Sequence, residues 1–145
     1  MKRHSAGVLL SSLLVSAAAI GADLPKVEVS KSATCGCFGR WADHMRQQGF
    51  SASTRDVADV AAERRWLRMP ESESWCHAAV VSGYAIEGHV PASDVKRLLT
   101  ERPKALGLAV PDMPNASPGM ESSGAVPYPV HLVQTDGAMR TFANY

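Results

Sequence analysis

Three cysteines stand out among the 145 residues. Two of them lie one residue apart in Thr34-Cys35-Gly36-Cys37-Phe38-Gly39-Arg40-Trp41, and the third, Cys76, is followed directly by His77. Cys35 and Cys37 fall where an apolar strand gives way to a helix. A helix N-terminus carries partial positive charge and unsatisfied N–H groups. A thiol there ionises more readily, and the thiolate is the form that binds metal. Gly36 allows tight backbone around the two sulfurs, and Phe38 with Trp41 supplies a dry wall. If Cys35, Cys37 and Cys76 converge, with His77 beside them, they offer a soft ligand set. Thiolate, imidazole and thioether donors select copper(I) or zinc over harder ions. Met113 and Met120 lie among prolines rather than on an apolar stripe, which tilts the choice to copper, because zinc sites are built from Cys, His and carboxylate ligands. His89 is a further candidate ligand, with a structural hydrogen-bonding role as the alternative. His44 is expected to face solvent on the flank of the first helix, and His131, mid-strand, is not expected to ligate. Met45 and Met139 fit core positions.

Thioredoxin-type redox enzymes use Cys-x-x-Cys. Here the spacing is Cys-x-Cys, with Phe38 where the second redox cysteine would stand. The region before the third strand reads Trp75-Cys76-His77, without the proline that redox enzymes of that fold hold there. A metal-binding protein is therefore favoured over an enzyme. A thiol–disulfide or copper redox protein is one alternative, and a zinc or iron–sulfur carrier is another.

The N-terminus sets the compartment. Lys2, Arg3 and His4 precede an apolar or small run from Ala6 to Ile20, small residues reach Ala22, and a polar stretch begins at Asp23. That three-part plan predicts a secretory signal peptide over residues 1–22. The run is short of the roughly 20 apolar residues a spanning helix needs. The expected mature domain is 23–145, in the periplasm and off the membrane. Its 13 basic residues, after loss of Lys2 and Arg3 from 15, face 14 acidic ones. Bulk charge thus gives no attraction for nucleic acid. Exported cysteines are held as disulfides or as metal ligands. Three is an odd number for intramolecular pairing, whereas a metal uses all three.

The elements that must position these residues follow from periodicity. Val27–Ser32 alternates and predicts a strand. Phe38, Trp41, Ala42 and Met45 keep the spacing of one buried helix face over 38–48, and Gly49 suits the position after its end. A second strand is expected over 50–54, and a helix over 56–67 capped by Asp56. Ala78–Val81 and Tyr84–Glu87 around Ser82-Gly83 predict a hairpin, and a third helix is expected over 92–101. Residues 104–127 are rich in Pro and Gly and predict a long loop. A hairpin over 130–134 and 139–143 turns at Asp136-Gly137. Strands alternating with helices, and a cysteine motif at the first helix, predict an α/β domain with a thioredoxin-like mixed sheet.

Several stretches resemble one family. They are Lys31-Ser32-Ala33-Thr34-Cys35-Gly36-Cys37, Trp75-Cys76-His77-Ala78-Ala79-Val80-Val81, Gly83 to Pro91, Gly107 to Pro114, and Ser117-Pro118-Gly119-Met120-Glu121. Together they resemble the CopG-like periplasmic copper-resistance proteins. The resemblance implies a thioredoxin-like fold that holds copper through cysteine sulfurs, with copper ions and periplasmic copper-transport proteins as partners. It carries over Cys35, Cys37, Cys76 and His77. The family pattern reads Cys-Gly-Cys-Cys, and Phe38 stands here at its last position, so the resemblance implies fewer ions than a site bridged by four sulfurs.

Overall fold

The computed structural model describes residues 23–36, 38–73 and 76–145. The expected signal peptide therefore lies outside the described residues. Among these residues no helix is long and apolar enough to cross a membrane.

The first strand, β1 (Val27–Lys31), leads through a turn into α1 (Phe38–Gln47) and then β2 (Ala52–Asp56). After α2 (Val60–Trp66) and a short 3-10 turn come β3 (His77–Val81), β4 (Tyr84–Glu87) and α3 (Ala92–Glu101). The chain closes with β5 (Ala105–Ala109), β6 (Pro129–Gln134) and β7 (Met139–Asn144). The strands form one seven-stranded mixed sheet in the order β2-β1-β3-β4-β5-β6-β7. β1 runs parallel to β2 and antiparallel to β3, and β4 runs parallel to β5.

Alternation sorts the strand residues onto two faces. Val27 and Val29 of β1, Ala79 and Val81 of β3, Leu108 of β5, and Val130 with Leu132 of β6 meet the buried stripes of α1 and α3. All four stripe positions of α1 (Phe38, Trp41, Ala42, Met45) are buried as their spacing predicts. The indole N–H of Trp41 donates to the Val90 carbonyl at 2.9 Å, which ties α1 to the β4–α3 connection. Gly49, at φ 94°, ends the helix. On the opposite face Ala85, Ala109, Val133 and Met69 form a smaller core. There α2 is pinned by Arg64, whose guanidinium meets Glu87 at 3.0 and 3.3 Å, with both side chains buried.

Four expectations need correction. The second strand lies two residues later than read. The Phe50 N–H bonds back to the Met45 carbonyl, so Phe50 completes the helix exit and does not join the ladder. The second helix starts at Val60, because Asp59 and not Asp56 accepts the Ala62 N–H. Asp56 remains on β2, where it pairs with Lys31. Met139 is 41% exposed rather than in the core. The stretch read as a long loop contains β5. Its centre, Gly107, is the reason the strand is possible. A Cβ there would stand 1.8 Å from the Ala85 carbonyl oxygen of β4. The remaining connection, 110–128, is folded around Asn115, whose side chain bonds to the backbone of Ser123, Gly124 and Val126.

Two measurements test these pins. Gly107→Ala is expected to cost at least about 3 kcal/mol, since backbone must move to admit the methyl group; urea unfolding reads it. Arg64→Met alone is expected to cost about 3–5 kcal/mol by taking the guanidinium away from the buried Glu87 carboxylate, and the double change with Glu87→Leu should recover most of that loss.

Candidate metal centre

The turn that follows β1 is built by main-chain bonds. The Cys35 N–H donates to the Ser32 carbonyl, and the Ser32 N–H donates to the Cys76 carbonyl, each at 3.0 Å. The second bond continues the antiparallel β1–β3 ladder one step past the Lys31–His77 pair. Cys35, 41 residues before Cys76, is thereby brought to a Cα–Cα distance of 5.8 Å from it. That spacing suits a disulfide, and the two cysteines are joined by one. The expectation was one metal shared by three cysteines; in the structure two of them, Cys35 and Cys76, are bonded to each other. In this form neither Cys35 nor Cys76 is a thiolate. Cys37 lies outside the described residues.

His77, the first residue of β3, shares the face of Ala79 and Val81 and so points to the α1 side. One ligand atom each from Cys35, Cys76 and His77 lie within 4.8 Å of one another. The His77 Nδ1 is 3.9 Å from the Cys35 sulfur. Around the imidazole stand Phe38 at 5.1 Å, Trp41 at 6.0 Å and His89 at 5.4 Å between ring centroids. This is the dry wall expected from Phe38 and Trp41. Burial first, and then the neighbouring His89, push the His77 pKa down to about 3. The ring is therefore neutral at physiological pH, the form that ligates metal.

His89 is wholly buried in the β4–α3 connection. Its Nδ1 lies 2.8 Å from the Pro118 carbonyl. A carbonyl only accepts, so Nδ1 carries the proton and Nε2 presents a bare lone pair. The Nε2 atoms of both His89 and His77 are buried without a hydrogen-bond partner. Metal-ligating histidines commonly have their other nitrogen held in this way by a backbone carbonyl. Burial also lowers the His89 pKa.

The same contact draws the Pro-rich connection to the site. Gly119, at φ 82°, packs so closely that a Cβ would lie 2.8 Å from the Trp41 backbone nitrogen. Met120 follows it, half-buried, with its N–H on the Ser117 carbonyl. Met113 is half-buried at the start of the connection, at φ 41°. His89 thus adjoins the Cys35, Cys76 and His77 group, and the Met120 loop abuts both His89 and α1. His44 was misread as solvent-facing. Its Nε2 accepts the Ala92 N–H at 3.1 Å and caps α3, which has no side-chain cap of its own. No local signal marks that role, because donor and acceptor are 48 residues apart.

Two solved structures described as "Copper resistance protein copG", Form 1 and Form 2, are each 36% identical to this chain. Each match covers 84% of this chain and 98% of the other, with TM-scores of 0.78 and 0.79. The chain belongs to the CopG copper-resistance protein family. A family model described as a protein of unknown function, DUF411, matches residues 73–120. That stretch of the CopG-family chain holds Cys76, His77, His89, Met113 and Met120, while Cys35 and Cys37 precede it. No curated protein matches the chain.

The buried imidazoles make the metal-free protein sensitive to acid. An unfolded chain protonates His77 near pH 6.5, and the folded chain does so only near pH 3. The stability this confers is complete above about pH 6.5 and is lost as the pH falls through that window, at about 1.4 kcal/mol per pH unit. His89 and His44, also lowered by burial, act in the same direction. Urea unfolding from pH 6.5 to 4 should show this slope. His77→Phe, which keeps a ring between Phe38 and Trp41, should reduce it by about one proton.

Proposed function

We propose that this chain is an exported, periplasmic protein that holds copper(I) through cysteine thiolates and sequesters it or hands it on. The observation that carries the reading is the convergence of Cys35, Cys76 and His77 within 4.8 Å in a member of the CopG family. In the reduced protein Cys35 and Cys76 are primary ligands. Cys37, two residues from Cys35 and one before α1, is the third. His77 and the Nε2 of His89 are the nitrogen donors. Met120, on the loop against α1, and Met113 are the thioethers that close over the ion. A soft monovalent ion fits these donors, and the Phe38 and Trp41 wall keeps water and oxygen from it. With Phe38 in place of a further cysteine, the site holds fewer ions than four bridging sulfurs would.

Two finer readings accompany this one. The order β2-β1-β3-β4, with β3 antiparallel to β1 and helices after β1, β2 and β4, supports a thioredoxin-like core to which β5, β6 and β7 are added. The basic, apolar and small-residue plan of 1–22 supports a cleaved signal peptide and a mature domain of 23–145; periplasmic copper-transport proteins are the partners this reading proposes.

One observation favours a second reading. The Cys35–Cys76 disulfide is what a thiol–disulfide oxidoreductase would carry. Its cysteines lack the Cys-x-x-Cys spacing of such enzymes. Insulin reduction by the metal-free protein separates the two readings: turnover supports the enzyme, and none is expected.

The reduced chain is expected to withdraw copper(I) from a chromophoric chelator. Replacing both Cys35 and Cys37 by serine should abolish that competition. Undiminished binding in the double variant refutes the proposal.

A further inference from the structure

We propose that the Cys35–Cys76 disulfide is a redox gate on the copper site, opened by a dithiol reductant before the metal can enter. The inference rests on the preceding reading of the site and adds its regulation. The two bonded sulfurs are two of the three cysteine sulfurs assigned to copper. Sulfur in a disulfide has no thiolate charge, so the oxidised protein withholds two of its three thiolates.

The backbone makes this bond a gate rather than a brace. The Cys35 N–H on the Ser32 carbonyl and the Ser32 N–H on the Cys76 carbonyl hold both cysteines in place independently of the sulfurs. Five register pairs of β1 and β3 stand behind them, from Val27–Val81 to Lys31–His77. When the S–S bond is cut, the thiols stay opposite each other, with His77 alongside. Opening therefore needs no refolding, and the ligands are preorganised for one shared ion.

Exposure sets the direction of attack. Cys35 is only 8% exposed, whereas Cys76 is partly open to solvent. A thiolate of the reductant attacks the Cys76 sulfur, the S–S bond breaks, and Cys35 leaves as a thiolate beside the His77 Nδ1. The second thiolate of the reductant attacks the mixed disulfide and releases the Cys76 thiolate. The reductant becomes a disulfide, having given two electrons. The two released thiolates take up two protons and give them back when copper(I) binds. Exchange is reversible, so a more oxidising protein disulfide closes the gate when no metal is present.

The test compares two preparations of the unmutated chain without oxygen: one reduced with dithiothreitol and desalted, the other oxidised with glutathione disulfide. Circular dichroism establishes that both are folded. Thiol counting should give three thiols in the first and one in the second, since only two of the three cysteines pair. Against a bicinchoninate chelator, the oxidised form is expected to bind copper(I) at least about 100-fold more weakly than the reduced form. Added dithiothreitol should restore the lost binding. Copper-loaded reduced protein should keep its thiols when glutathione disulfide is added. Equal affinity in the two forms overturns the gate and leaves the copper reading standing, and so does a disulfide that maps to a different cysteine pair. Failure of the reduced form to bind overturns the copper reading itself.

Discussion

The site depends on one hydrogen bond, from the Ser32 N–H to the Cys76 carbonyl. It extends the β1–β3 ladder past its last register pair and aligns the turn before α1 with the entry to β3. Cys35 and Cys76 meet because the ladder continues, not because either cysteine seeks the other. The net worth of such a bond is only about 1 kcal/mol. Its effect is geometric: it removes the freedom that would otherwise separate two thiols distant along the chain. The wider sheet supports it, since β1 is bonded on both sides, by β2 and β3.

Around that pair the fold keeps water out. Phe38 and Trp41 come from α1, His77 from β3 and His89 from the β4–α3 connection, and all four are buried. A charged imidazole is costly in such surroundings, so both histidines remain neutral with lone pairs to offer. The Phe38 ring lies against that of His77, 5.1 Å between centroids. Through His89 and the Pro118 carbonyl, the Pro-rich connection becomes part of the same enclosure.

Much of this was legible from residues alone. The buried stripe of α1, the whole of α3 and β4, and the terminal hairpin came out as periodicity and turn chemistry predict, with Gly137 at φ 85° in the expected turn. Capping was less secure. Asp56 and Asp59 are equally suited to begin α2, and only the β1–β2 register, which keeps Asp56 on its strand, decides between them. The grouping of Cys35, Cys76 and His77 was anticipated from residue type, whereas their state of oxidation was not.

Signals that act within a few residues are therefore the sequence's own: helix faces, tight turns, and the cysteine motif at the mouth of α1. Whatever depends on partners far along the chain was settled in three dimensions. A glycine read as loop becomes the centre of β5 because the Ala85 carbonyl needs its missing side chain. His44 becomes the cap of α3, and His89 acquires one definite tautomer from Pro118. Cys35 pairs with Cys76 across 41 residues. The physical reason is common to all of these. Side-chain type declares which bonds a residue can make, but which partner arrives within about 3 Å is decided by strand order and register.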